Sequence, residues 1–464
     1  MKLHTSLSTW CFLNAILLGL MAALVCAEEP TTIKLTLHPQ AIEDHGPSRP
    51  LLPEAPDLKP GNAAVVLLRM PWGETGFMTN EYRNLFDNPP LALDDPRLTD
   101  FPFDRFAAQM RRAAFMKDAD WDYPIDDEPL DGILLPDASG LRVFVGTGMS
   151  VWVTQQIAKG DLNGAREGVL VQLACAQHLG QTRFIVIQMI AAVIADQAFD
   201  GLERVIGAPG SPNLHRAIAL LPDSLGRSIE ALQWEAVIEE RSMPMLRTGI
   251  PEAGDDAAWT RVFDGWLDRW MSYEGTPTPE KSAAIRARIA TAGREAFAKV
   301  APADIDLKRA SDDEIAMRFL LVTFRQIHQT AESAWRLEGP EAIAALVELD
   351  ARVNRLQPTM GEGLLSYLAN PLKWYLPIHS FGRRARMLEV VEALRDAAAR
   401  NGGRFPATLA AVPAHVPLDP FTRQPFLYVP SEDGRSARLA TPPIPGVDDP
   451  RYVRVYELTI ADPE

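Results

Sequence analysis

The opening 27 residues set the conditions under which everything after them must fold. Lys2 supplies a short positive start, and Trp10 to Val25 form an apolar run broken by Asn14. Val25-Cys26-Ala27 then offers a cleavage pattern, followed at once by Glu28, Glu29 and Pro30. That is the tripartite build of a secretory signal peptide. The expectation is export, with residues 1–27 removed and the mature chain folding in the periplasm or cell envelope. Two other readings share the segment. A run of about 18–20 apolar residues can span a bilayer, so an uncleaved segment would be a membrane anchor, although this run is at the short end. Cys26 also sits near the place of a lipoprotein cysteine, but bulky Val25 stands where that signal needs a small residue.

Export makes the cysteine count informative. Cys11 and Cys26 lie in the signal, which leaves Cys175 of the three. One thiol makes no internal disulfide, so the fold must rest on its apolar core. Apolar residues make up 47% of the 464, against 23% charged, which supports a packed globular protein of more than one domain. The net charge of −15 repels phosphate backbones and argues against nucleic acid as a partner.

Along the chain, Ile33, Leu35 and Leu37 alternate and predict a strand over 31–38. Pro39, Pro47, Pro50, Pro53, Pro56 and Pro60 follow, so 39–60 reads as a linker or a wrapped arm. From 61 to 380 the periodicity is helical. Phe103, Phe106, Ala107, Met110 and Ala114 fall at helix spacing, and Phe184 to Ile194 reads as a buried central helix. Ser211-Pro212 and Thr278-Pro279 each place a cap before a first-turn proline. Ser311-Asp312-Asp313-Glu314 is a capping box. Residues 158–165 join two helical runs as in a tetratricopeptide hairpin, but no second copy lies 34 residues away, so packed α-hairpins without a repeat array are expected. Leu388, Val391 and Leu394 mark the apolar face of a last long helix, which Gly402-Gly403 ends. Strand-like runs follow at 425–429, 436–440 and 452–459. The expected fold is mainly α, with a small C-terminal α+β module over 381–464.

The chemistry-bearing patterns are each incomplete. Leu141 to Val145 followed by Gly146-Thr147-Gly148 resembles the strand and glycine turn of a dinucleotide site, but Val151 stands where the third glycine belongs. Asp118, Asp120 and Asp122, with Asp126 and Glu128 beyond, echo the start of a calcium loop. Tyr123 and Pro129 occupy its glycine and glutamate positions, so a solvated acidic loop is expected. His328 and Glu332 lie one helical turn apart without a second histidine. Leu221-Pro222-Asp223-Ser224-Leu225-Gly226 lacks the first glycine of a nucleophile elbow. Cys175 has His178 three residues on, yet sits in an apolar helical run and reads as core. Trp259, Val262, Phe263, Trp266, Leu267 and Trp270 share one helical face and also read as core. No catalytic, cofactor-binding or metal residue is assigned, and no cofactor is implied.

The tail carries a resemblance. Asn401-Gly402-Gly403-Arg404-Phe405-Pro406-Ala407-Thr408-Leu409 is followed by Pro417-Leu418-Asp419-Pro420-Phe421-Thr422-Arg423-Gln424-Pro425-Phe426-Leu427-Tyr428. This resembles a tail common in uncharacterised exported proteins of planctomycete bacteria. Arg423 replaces a usual glycine, which suggests an undemanding turn. Asn62-Ala63-Ala64, Trp121 and the 160–165 turn look like those proteins too. The same tail is distantly similar to the globular end of type II secretion pseudopilins, where a long helix precedes a "DP" turn and short strands. Phe405 to Tyr428 is expected to fold back on the last helix, with Asp419-Pro420 at an exposed turn. The reading is an exported envelope protein, a non-enzymatic structural or interaction protein with an unidentified protein or envelope partner. A hydrolase with an unrecognised site and a secretion-system accessory are the alternatives.

Overall fold

The computed structural model describes residues 30–43, 50–70, 85, 92–99, 101–121, 138–242, 250–271, 278–300, 305–360 and 371–462. It is mainly helical with a small C-terminal sheet. Two compact units interleave along the chain: one holds Ile229–Trp374, the other Ile16–Tyr123, Leu135–Ser228 and Tyr375–Glu464. Pairings far apart in sequence define the second unit, β1 with β6 among them.

The first unit is a stack of helices. It takes most of α8 (Ser228–Ser242), then α9 (Asp256–Met271), α10 (Pro279–Lys299), α11 (Asp312–Trp335) and α12 (Gly339–Met360). Thr278 and Ser311 cap α10 and α11 by accepting from Lys281 N and Glu314 N, each at 3.3 Å. The aromatic face of α9 is core: Trp259, Phe263, Trp266 and Leu267 are buried, and Arg318 stacks over Trp259. The Trp270 side chain lies outside the described residues.

The second unit begins with β1 (Thr31–Leu37). A short parallel pair, β2 (Lys59–Asn62) and β3 (Met116–Asp118), flanks α1 (Ala63–Leu68) and α2 (Asp104–Ala114). Then come α3 (Ala138–Leu141), a π-helical stretch Arg142–Gly148, α4 (Met149–Ala158), α5 (Leu162–Gly180), α6 (Ile185–Gly207), α7 (His215–Ala219) and, from Tyr375 on, α13 (Pro371–Arg400). α6 is long and apolar enough to cross a membrane, but Ile187, Ile190, Ile194 and Phe199 are packed inside the unit. The expected Ser211-Pro212 helix start is not formed. α7 begins at His215, whose N–H donates to Asn213 Oδ1.

Strands β4 (Leu427–Pro430), β5 (Ser436–Ala440) and β6 (Arg454–Ile460) make an antiparallel meander. β1 joins it in parallel, from Thr31 opposite Arg454 to Leu37 opposite Ile460, so the sheet runs β1-β6-β5-β4. The Pro-rich segment continues β1 as a wrapped arm: Arg395 donates to the His38 carbonyl at 2.7 Å, and Asp396 accepts from Ile42 N at 2.8 Å.

Two expectations for the last helix are corrected. α13 is not amphipathic, since nearly every side chain from Phe381 to Ala398 is buried, charged ones included. Asp419 is not at an exposed turn but fully buried against that helix. The fold-back itself is present, with Phe405, Val412, Phe421 and Phe426 buried and the Tyr428 hydroxyl donating to the Pro406 carbonyl at 2.8 Å.

Candidate functional site

A cavity of about 330 Å³ lies within the second unit, in the size range of small-molecule sites. Four chain segments wall it. α6 contributes Met189, Val193 and Asp196; α13 contributes Ser380, Arg383, Arg384 and Met387; the tail contributes Phe421, Tyr452 and Arg454; the π-helical stretch contributes Arg142. Its lining combines apolar side chains with five guanidinium groups.

The arginines are held from behind. Arg383 donates through Nε to Asp419 at 2.6 Å, and through its two Nη atoms to the carbonyls of Tyr452 and Pro442. Asp419 Oδ1 takes the N–H groups of Phe421 and Thr422 at 2.8 and 3.1 Å, so one carboxylate shapes the loop and anchors the guanidinium. Arg384 reaches Asp196, Asp200 and Glu203. Burial opposes its charge, but the three acids outweigh burial and raise its pKa well above the usual value. Tyr456 donates its hydroxyl to Glu203. Arg384 and Arg454 hold the Asp196 carboxyl below the ordinary range. Arg451 forks onto Asp449 at 2.5–3.0 Å. Lower on α13, Arg386 pairs with Glu389 and Arg395 with Glu392, so the charges along this helix are turned inward.

The π-helical stretch corrects the expected strand. Arg142–Gly148 continues a helix on both sides. Its β-branched and aromatic residues suggested a strand, but they are buried helical contacts, where tertiary packing overrides propensity. A β-carbon at Gly146 would fall 1.9 Å from Gln197 Oε1, and one at Gly148 would fall 2.6 Å from Phe103 Cζ. The glycines therefore admit neighbouring side chains rather than a phosphate. Widening the helix frees carbonyls, and Gln172 Nε2 donates to two of them, Val145 at 3.1 Å and Gly146 at 2.7 Å.

The other sequence candidates lie apart from the cavity. The Cys175 sulfur faces the Met110 carbonyl at 3.8 Å, and His178 Nε2 contacts the Ala113 carbonyl at 3.1 Å. Burial pushes the Cys175 thiol up to about 12, which leaves no thiolate at neutral pH. Asp118 ends β3, and the backbone of Asp120 exchanges hydrogen bonds with the Asn62 side chain. Asp122, Asp126 and Glu128 lie outside the described residues. Glu332 accepts from Gln233 and Arg336, while the His328 ring lies tilted against Phe324 with centroids 4.3 Å apart. Ser224 accepts from Gly226 N in a local turn. Among the described residues, no three His, Cys, Asp or Glu side chains gather as a metal site.

No family model, curated protein or solved structure matches this chain.

Proposed function

We propose that the protein is exported to the cell envelope and acts there by binding, as an interaction protein rather than a catalyst. Export draws on the tripartite start and the Val25-Cys26-Ala27 pattern. Kinship with the uncharacterised exported planctomycete proteins draws on the 401–428 tail.

One observation carries the binding reading: the cavity's described lining holds no nucleophile and base paired for proton transfer. Its lining holds one carboxylate, Asp196, and no His, Cys, Lys or Glu among the described residues. Of its aliphatic hydroxyls, Ser380 donates to the Pro377 carbonyl at 2.7 Å and Thr441 accepts from Arg454 N at 3.0 Å. Neither is set against a base, as an activated nucleophile requires. A secretion-system accessory is the second reading, favoured by the order of long helix, loop and antiparallel strands over 371–460. Burial of α13 on all sides speaks against helix-to-helix assembly of that kind.

Two measurements test the proposal. N-terminal sequencing of envelope-fraction protein should start at or near Glu28; intact Met1 in the cytoplasm would contradict export. The purified protein should not turn over chromogenic ester, peptide, glycoside or phosphate probes. Turnover abolished by Asp196→Asn would make the cavity an active site instead.

A further inference from the structure

The cavity keeps polar groups of both signs in reserve. Arg384 spends all five of its N–H donors on Asp196, Asp200 and Glu203. Arg383 and Arg451 are forked onto Asp419 and Asp449. Arg142 and Arg454 differ. The Arg142 side chain makes no hydrogen bond or ion pair with a described residue, and Arg454 is held loosely, by a 3.3 Å hydrogen bond to Asp196 Oδ1 and a 3.7 Å approach to Glu203. Asp196 likewise works through Oδ1 alone: among the described residues nothing donates to Oδ2, and the side chain is 53% exposed.

Charge balance narrows the ligand. The five arginines of the lining face five acids on or behind the wall: Asp196, Asp200, Glu203, Asp419 and Asp449. The formal sum is zero, so a simple anion or cation would leave the site unbalanced, whereas a ligand carrying both charges would not. The remaining wall is apolar, with Met189, Val193, Met387, Phe421 and Tyr452. The space equals about ten water volumes, room for one apolar side chain and a charged head.

We propose that this cavity binds a zwitterion with an apolar body, of the class of an apolar amino acid or a short apolar peptide. Its carboxylate meets Arg142 and Arg454, since a guanidinium offers paired donors of matching geometry. Its ammonium meets Asp196 Oδ2, and its side chain lies against the apolar wall. This rests on the binding reading above and names the ligand class for the same site.

Calorimetric titration of the full mature protein tests it, with L-phenylalanine and leucyl-leucine as probes. N-acetyl-phenylalanine, phenylalaninamide, dodecanoate and inorganic phosphate serve as controls. Saturable binding of a zwitterionic probe is expected, with each blocked analogue weaker by about tenfold or more. Arg142→Gln should weaken the zwitterion and leave phenylalaninamide unchanged. Asp196→Asn should weaken the zwitterion and leave N-acetyl-phenylalanine unchanged. If Asp196→Asn melts early, Arg142→Gln carries the test, because Arg142 holds no described partner whose loss would unfold the protein. Equal affinity for blocked analogues, preference for dodecanoate or phosphate, or no saturation at about 10 mM overturns the ligand class. Those results leave the binding reading standing, whereas turnover of a probe removes that reading whatever binds.

Discussion

Asp419 and Arg423 show how much one short loop must satisfy. Asp419 receives two backbone N–H groups and the Arg383 guanidinium, while its own carbonyl accepts from Arg423 N at 2.7 Å. That closure places Arg423 at φ 53°, the left-handed region that glycine occupies without strain. The turn is therefore demanding, contrary to what the arginine suggests in the sequence. Arg423→Gly should raise stability by about 0.5–1 kcal/mol, read from the denaturant midpoint; Arg423→Val should lower it. His379 sits on α13 with Tyr375 stacked at 4.1 Å, and burial pushes its pKa down to about 4. A histidine depressed in the folded state binds fewer protons than in the unfolded chain, so stability is intact above the unfolded value and falls as pH drops. The window runs from about 6.5 to about 4, and His379 accounts for about 3 kcal/mol across it. Melting curves of His379→Phe should be flatter in that window, though not flat, since burial also lowers His178. Parallel pH profiles for both proteins would remove His379 as the cause.

At the scale of elements, α13 is where sequence and structure part most clearly. Leu388, Val391 and Leu394 read as one apolar face, and Arg383, Arg386, Glu389, Glu392 and Arg395 recur along the same helix as a charged stripe. In the fold that stripe is buried, because its partners arrive from Asp419, Leu214, the 38–42 arm and the Ser211 carbonyl. Pairings of that reach leave no local pattern, so neither the buried stripe nor the cavity it helps wall was legible. Local signals did carry through: the caps Thr278 and Ser311, the alternation of Ile33, Leu35 and Leu37, and the aromatic spacing of α9. The strand expected at Leu141 to Val145 failed because a short buried apolar run looks alike in either conformation. The pair Arg383–Asp419 gives the sharpest energetic test. Asp419→Ala strands a buried guanidinium and two backbone donors, and should cost about 3–5 kcal/mol in chemical denaturation. Asp419→Asn, which keeps the acceptor for Phe421 and Thr422, should cost less. Equal costs would mean that the carboxylate's charge carries the whole effect and the loop hydrogen bonds add nothing beyond it.

Across the second unit, closure comes from pairing its first described strand with its last. β1 enters the sheet beside β6, and the arm after it is tied to Arg395 and Asp396 on α13. β6 in turn sends Arg454 and Tyr456 toward Asp196 and Glu203 of α6. The cavity is thus framed by elements that must all be in place at once, which is the central claim about how this chain builds a binding site. Native-state hydrogen exchange tests it directly. The amides of Leu35 and Leu37 in β1, Leu458 in β6 and Val390 to Leu394 in α13 should open together, with one shared free energy near that of global unfolding of the unit. Exchange of the β1 amides at the rate of exposed peptide, while β6 and α13 stay protected, would show that β1 is an appendage and that the frame does not depend on it.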